Sequence, residues 1–283
     1  MAVLDRLFVM SQYVAPQHAL SKACGKVADC KIPSVKNRVI RQFISHYHVN
    51  MDEALRSSPE DYADFNDFFT RELKATARPN QAGRYAIASP VDGTVSQAGK
   101  IEYGRIFQAK GHSFSLIDLL GGETPRANPF MGGEFTTIYL APKDYHRIHM
   151  PCYGELKEMV YIPGKLFSVN PLTTKYVPGL FARNERVVCI FETTFGPMAL
   201  IMIGAMVVAS IATVWSGLVA PEGKHIRRFN YSPGEVCLNQ GDEAARFLLG
   251  STVVLLFPEH QITFNKLVKA GNPMRLGNNI ASL

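Results

Sequence analysis

The sequence predicts an α+β fold, with a helical N-terminal region followed by a β-rich core. Three observations carry that expectation. Apolar residues recur at helical spacing in the first part of the chain, to about residue 75. Short β-type runs split by Gly and Pro then continue to about residue 260. Hydrophobic residues are 47% of the 283 and charged residues 19%, which suits a substantial core. The boundary between the helical region, 1–80, and the β-rich region, 81–283, falls where Pro79 and Gly83 interrupt the helical pattern.

Taken in order, Leu4, Leu7, Phe8 and Ser11 form one helical face, and Val35, Val39, Ile40, Phe43, Ile44 and Tyr47 form another. The first fifty residues carry seven Lys/Arg against two acids, Asp5 and Asp29. Such a segment suits an amphipathic, membrane-facing layer on anionic lipid; it equally suits a helical layer packed inward with a solvated basic face. The aromatic cluster Phe65, Phe68 and Phe69 follows. Strand-like runs are expected at 85–88, 106–114, 135–140, 155–162, 186–191, 198–203, 206–214 and 252–257, with a short helix or turn at 116–121. Residues 198–214 carry no charge, but Gly204, Ser210, Thr213 and many β-branched residues favour two buried strands over a membrane span. The last twenty-five residues lack periodicity and read as a surface tail.

The net charge of +6 is compatible with nucleic acid, an anionic membrane or an acidic small substrate, and does not choose among them. Five cysteines with no C-x-x-C pair argue against a disulfide framework or zinc site and favour a reducing compartment. No secretory signal is expected, since Asp5-Arg6 interrupts the apolar start.

The chemistry centres on Leu249-Gly250-Ser251-Thr252, at the entrance to the apolar run 253–257. Glycine leaves the carbonyl carbon at 250 unshielded, so the Ser251 hydroxyl can attack its own preceding peptide bond, given a base and oxyanion donors. The same tetrapeptide also suits a tight turn feeding a strand. Asp92, in Pro-Val-Asp-Gly, is an ordinary turn residue or an acid that orients a base. His146 and His149 lie three apart in a loop ending at Pro151. With no third ligand in register, no metal is expected. Asp92, His149 and Ser251 supply an acid, an imidazole base and a hydroxyl nucleophile in one workable triad order. No Gly-x-Ser-x-Gly elbow is present, which favours self-cleavage over an external serine hydrolase using the same three residues. A non-catalytic module that binds anionic membrane is the third reading.

Five segments stand in a telling order: Phe-Asn-x-Phe-Phe-x-Arg at 65–71, Ser-Pro-x-Asp-Gly at 89–93, Asp-Tyr-His-Arg-x-His-x-Pro at 144–151, Pro-Gly-x-Leu-x-Ser-Val-Asn-Pro at 163–171 and Leu-Gly-Ser-Thr at 249–252. Together they resemble the pyruvoyl-dependent phosphatidylserine decarboxylases, in the bacterial membrane-associated branch. The resemblance implies that Asp92 orients His149 and that His149 deprotonates Ser251. Ser251 then attacks the Gly250 carbonyl, and elimination and hydrolysis yield a β chain, 1–250, and an α chain, 251–283. The α chain begins with a pyruvoyl group made from Ser251, which forms a Schiff base with phosphatidylserine and accepts the electrons left by CO₂. The product is phosphatidylethanolamine. His146 is implied in the decarboxylation step, as proton donor or substrate contact, and Ser168 in the substrate pocket. The resemblance further implies a peripheral enzyme on the cytoplasmic side of the cell membrane, a homo-oligomer of cleaved heterodimers, and no nucleic-acid partner. Ala209 and Ala245 stand where glycine is common in that family, and a local backbone adjustment is expected at each.

Overall fold

The computed structural model describes residues 3–206, 210–221, 223–248 and 251–283; for Val3, Leu4 and Ser251 it describes the backbone alone. Three helices open the chain: α1 (Val3–Val14), α2 (Gln17–Ala28) and α3 (Pro33–Tyr47). Pro33 sits in the first turn of α3, where its fixed φ suits a helix start, and left-handed His48 ends the helix with its N–H on the Ile44 carbonyl. Beyond His48 the helical expectation fails. Only a 3₁₀ turn at Pro59–Asp61 and the short α4 (Phe65–Phe69) follow, the latter capped by the Asp64 carboxylate on the Asp67 N–H at 2.9 Å. Ile40, Tyr62, Phe65, Phe68 and Phe69 pack into a small aromatic core beneath α3. Among the described residues, no helix is long and apolar enough to cross a membrane.

The β-rich part begins with β1 (Ala86–Ala88), β2 (Gly93–Lys100), β3 (Arg105–Ala109) and β4 (His112–Ser115). After α5 (Leu116–Leu119) and α6 (Thr124–Ala127) come β5 (Glu134–Leu140), β6 (Arg147–His149) and β7 (Gly154–Ile162). Helices α7 (Pro171–Tyr176) and α8 (Leu180–Arg183) lead to β8 (Arg186–Thr193), β9 (Gly196–Ile203), β10 (Ile211–Thr213) and β11 (Gly217–Ala220). The chain closes with β12 (Arg227–Asn230), β13 (Cys237–Leu238), β14 (Glu243–Phe247), β15 (Ser251–Phe257), β16 (Thr263–Phe264), β17 (Pro273–Met274) and β18 (Asn279–Ser282).

A nine-stranded sheet, ordered β12-β7-β8-β9-β15-β5-β2-β17 with β13 also on β7, is the backbone of the fold. Every pairing in it is antiparallel, so side chains alternate between two faces. Along β15, Val253, Leu255 and Phe257 join one core with Ile148, Ala245 and Phe247 of the smaller sheet β11-β10-β14-β6. Val254 and Leu256 join the other core with Leu116, Leu119, Leu180 and Phe181, and α1 adds Val9 to that side. The architecture is therefore α+β, a sheet sandwich with short helices over its second face.

Three local expectations need correction. Residues 106–114 are not one strand but the hairpin β3–β4, which turns at Lys110-Gly111, both at positive φ. The run 206–214 supplies only the three-residue β10, and positions 207–209, including Ala209, lie outside the described residues. The C-terminal stretch is not a surface tail: β17 pairs with β2, β18 lies between β1 and β16, and Met274, Ile280 and Ala281 are buried. Strands of two to four residues are too short to show a period of two. Ala245 is fully buried in β14, beside a register shift between Glu243 and Ala245.

Candidate active site

Strand register brings the separated motifs to one end of the large sheet. Thr94 of β2 pairs with Tyr139 of β5, and Tyr139 pairs with Thr252 of β15. Ser251 pairs with Leu140, the last residue of β5, and Thr252 also pairs with Ile203, the last residue of β9. Gly93 and Ser251 thus lie two strands apart, about 10 Å at ordinary strand spacing. The Asp-Gly of the second motif is no hairpin turn. Gly93 opens β2, and a Cβ there would stand 2.4 Å from the Tyr139 carbonyl oxygen, so the close approach demands glycine. Leu249 and Gly250 lie outside the described residues, as does the Ser251 side chain.

His146 is tied to this row. Its Nε2–H donates to the Ala141 carbonyl at 3.1 Å, one residue past the partner of Ser251, and its own carbonyl accepts the Phe247 N–H at 3.0 Å. A carbonyl only accepts, so Nε2 carries the proton and Nδ1 is left as an acceptor. The ring is fully buried, Nδ1 has no hydrogen-bond partner among the described residues, and the face stacks on Phe69 with centroids 4.0 Å apart. Burial, helped by the nearby Arg71 charge, pushes its pKa down to about 3, so the imidazole is neutral at working pH. Arg71 donates from Nη2 to the Lys143 carbonyl at 3.0 Å. The aromatic-arginine motif at 65–71 therefore acts structurally, clamping the histidine loop from below.

Asp92 is held by Arg78. The guanidinium donates from Nε to both carboxylate oxygens at 2.8 and 3.0 Å and from Nη2 at 2.5 Å, while the Leu276 N–H adds a bond at 2.8 Å. Arg78 also reaches Glu53 at 2.7 Å. His149 makes two other bonds: Nδ1–H donates to the Gly241 carbonyl at 2.8 Å, and Nε2 accepts from the Tyr145 hydroxyl at 3.0 Å. Its pKa is lowered, chiefly by burial, which leaves Nε2 as a neutral base nitrogen. The hydrogen bonds of the described residues do not join Asp92 to His149 directly. They are linked instead through backbone and cavity walls. The His149 N–H donates to the Pro90 carbonyl at 2.9 Å. A cavity of about 380 Å³ lined by His149 and Gly241 shares Arg78 and Tyr145 with a second, of about 410 Å³, lined by Asp92 and Asp144. Tyr145 stands between the two, its phenol pushed well above its usual range by burial.

Ser168 lies on the loop between β7 and α7. Asn184 fixes this loop by accepting the Phe167 N–H at 3.1 Å and donating to the Phe167 and Gly204 carbonyls at 2.8 and 2.9 Å. Gly204 directly follows Ile203, so the Ser168 loop joins the sheet end that holds Ser251. Among the described residues, no group of three candidate ligands could hold a metal ion. Sequence reading missed four contributors: Arg78, Tyr145, Phe69 and the Gly241 carbonyl. Arg78-Pro79 registers only as the end of a helical pattern, and Tyr145 only as a neighbour of the histidines. Nothing local marks the main-chain oxygen of Gly241.

The family profile described as phosphatidylserine decarboxylase matches residues 65–282, and a second, described as PSD, matches residues 7–48. The phosphatidylserine decarboxylase proenzyme of Hahella chejuensis is 59% identical over 283 residues, covering 100% of this chain and 96% of that protein. The proenzymes of Bordetella pertussis and Stutzerimonas stutzeri are 54% and 53% identical, each covering 98% of this chain and 94% of their own length. With the matched profile spanning both the helix-to-sheet junction and the strands and loops that carry Asp92, His146, His149 and Ser251, the chain belongs to the phosphatidylserine decarboxylase family.

Proposed function

We propose that this protein is a proenzyme that cuts itself between Gly250 and Ser251 and then decarboxylates phosphatidylserine to phosphatidylethanolamine. The observation that carries the reading is the convergence of Asp92, the 141–149 loop and the start of β15 on one sheet end, around a buried and neutral His146. In the first stage His149, with its Nδ1 proton committed to Gly241, takes the Ser251 hydroxyl proton at Nε2 once the Tyr145 hydroxyl gives way. Ser251 oxygen attacks the Gly250 carbonyl carbon, and the peptide becomes an ester. Elimination releases chain 1–250 as a carboxylate, and hydrolysis with loss of ammonia leaves a keto group at the start of chain 251–283. Asp92 and the Arg78 guanidinium keep the local charge balanced through this stage.

The residues fit a pyruvoyl group at position 251. Its strand is held on both sides, through Leu140 and Ile203, and among the described residues two buried polar atoms of this sheet end, His146 Nδ1 and Thr252 Oγ1, have no hydrogen-bond partner. When formed, that group supplies a carbonyl able to take up the electron pair released with CO₂. His146 starts the cycle as a hydrogen-bond acceptor at Nδ1 and becomes a donor only after taking up a proton there. In this reading Ser168, on the adjoining loop, contacts substrate.

The N-terminal helices suit a lipid surface. Leu7, Met10, Val14, Leu20, Val27 and Ile32 are exposed, as are Arg6, Lys22, Lys26, Lys31 and Arg38. This supports peripheral association with the anionic, cytoplasmic face of the cell membrane, by a unit of two cleaved chains or an oligomer of such units. Mass measurement under denaturing conditions tests the reading. Wild type should give two chains split at 250/251, the smaller lighter than its serine form by one ammonia. Ser251→Ala should give one inactive chain, and residual decarboxylation by that variant would remove the pyruvoyl mechanism.

A further inference from the structure

The first two helices do more than cover the sheet. Gln12 of α1 and Gln17 of α2 are both buried, at 2% and 6% exposure, although each sits on a helix with a largely exposed apolar face. Their side chains point at the loop between β7 and α7. Gln17 Oε1 accepts the Leu166 N–H at 2.7 Å, and Gln12 Oε1 accepts the Ser168 N–H at 3.1 Å. Gln17 Nε2 donates to the Gln12 carbonyl at 2.6 Å, which locks the two helices to each other. His18 adds a third tie, donating from Nε2 to the Gly164 carbonyl at 3.2 Å. The bonds fall at 164, 166 and 168, every second residue, as if the helix pair supplied the missing neighbour of an extended segment. Tyr13 packs edge-on against Phe167 with centroids 5.1 Å apart, and the Arg183 guanidinium lies 4.7 Å over the same ring.

The far side of this loop runs to the reaction centre. Asn184 holds both polar groups of Phe167 and also the Gly204 carbonyl, and Ile203 pairs with Thr252, the neighbour of Ser251. Gly164 fits only because it lacks a side chain: a Cβ there would stand 2.5 Å from the Arg183 carbonyl oxygen and the Glu185 nitrogen. The loop has little slack on that side. On the other side its placement depends on two amides carried by helices that offer apolar side chains to solvent.

We propose that Gln12 and Gln17 are positioning residues, which pass the seating of α1 and α2 on a lipid surface to the 164–168 loop and so set turnover. The inference rests on the reading that this sheet end is the active site of a lipid decarboxylase. A buried amide oxygen aimed at a backbone N–H has no role in holding a helix to lipid, whereas it fixes the loop register directly.

The test uses the full chain on vesicles of phosphatidylcholine carrying phosphatidylserine. Gln12→Met/Gln17→Met keeps length and helix propensity but removes both acceptors. Self-cleavage and vesicle binding should match wild type and the thermal midpoint should fall by several degrees, the cost of two N–H groups left unpaired, while kcat falls about tenfold with KM little changed. Gln12→Met or Gln17→Met alone, each keeping one acceptor, should lose less kcat than the double variant. Hydrogen exchange gives a readout independent of activity: the Leu166 and Ser168 amides should gain protection when wild type binds vesicles and lose it in the double variant. Unchanged exchange at these two amides, unchanged kcat, or loss of self-cleavage and vesicle binding together with activity would each overturn the proposal. A wild type that cleaves itself and shows the exchange pattern yet releases no CO₂ would defeat the substrate reading while leaving the coupling intact.

Discussion

His146 is a fully buried titratable group, and its titration should be visible in stability. Its pKa lies near 3 in the fold against about 6.5 when unfolded, so between those values the unfolded chain binds a proton that the folded chain does not. Stability contributed by the neutral ring is therefore present above pH 6.5 and is lost as pH falls. Between pH 7.5 and 5 the loss from this group is about 2 kcal/mol, and the lowered pKa of His149 acts in the same direction. Urea denaturation in the Ser251→Ala background, where the chain stays whole, should show that slope, and His146→Gln should flatten it. An identical pH dependence in both proteins would mean that the ring titrates normally. Arg78 is the second residue to test. Its side chain and that of Asp92 are only 9% and 10% exposed, so Arg78→Met leaves a buried carboxylate with one N–H partner. Breaking such a pair costs about 3 kcal/mol, and self-cleavage should slow as Asp92 loses its place. Arg78→Lys should recover part of both effects; a variant as stable and as quickly cleaved as wild type would make the ion pair incidental.

At the scale of elements, α1 to α3 carry the exposed apolar residues and five exposed basic residues, so vesicle binding should draw on both charge and burial. Co-sedimentation with phosphatidylserine vesicles should weaken between low and high salt, because the charge contribution is screened within about 10 Å at 0.1 M. Leu7→Glu with Met10→Glu should weaken it at every salt concentration. Binding indifferent to both changes would place the lipid contact elsewhere. Of these, α1 and α3 are legible in sequence because a 3.6-residue period survives over twelve and fifteen residues, whereas α2 falls only within the general helical expectation. Also legible is β15, where five consecutive apolar residues feed two cores. The ties that build the site are not. The Phe69–His146 stack spans 77 positions in sequence, and neither residue carries a local sign of the other. Asp92 reads as a turn residue or as an acid that orients His149, but not as the partner of Arg78, because that ion pair depends on where Arg78 lands after the helices end.

For the whole molecule, the proposed self-cleavage would cut the chain at the entrance to a central strand of its largest sheet, and the consequences follow from topology. Chain 251–283 begins with β15, which pairs with β5 on one side and β9 on the other, both parts of chain 1–250. Val253 through Phe257 are completely buried, so withdrawing this strand would open both cores at once. The same short chain returns to the surface and pairs again, β17 on β2 and β18 on β1, with Met274, Ile280 and Ala281 buried at those contacts. The stretch that sequence alone suggested was a surface tail would thus be the second anchor of the small product. Loss of one peptide bond removes none of these contacts, and the two chains should behave as one folding unit. Native size exclusion of the processed protein should give a single peak containing both chains, and denaturant should release the small chain only in the transition that melts the large one. Release of chain 251–283 at denaturant concentrations that leave the 1–250 chain folded would show that the strand is held far less tightly than its two-sided pairing requires.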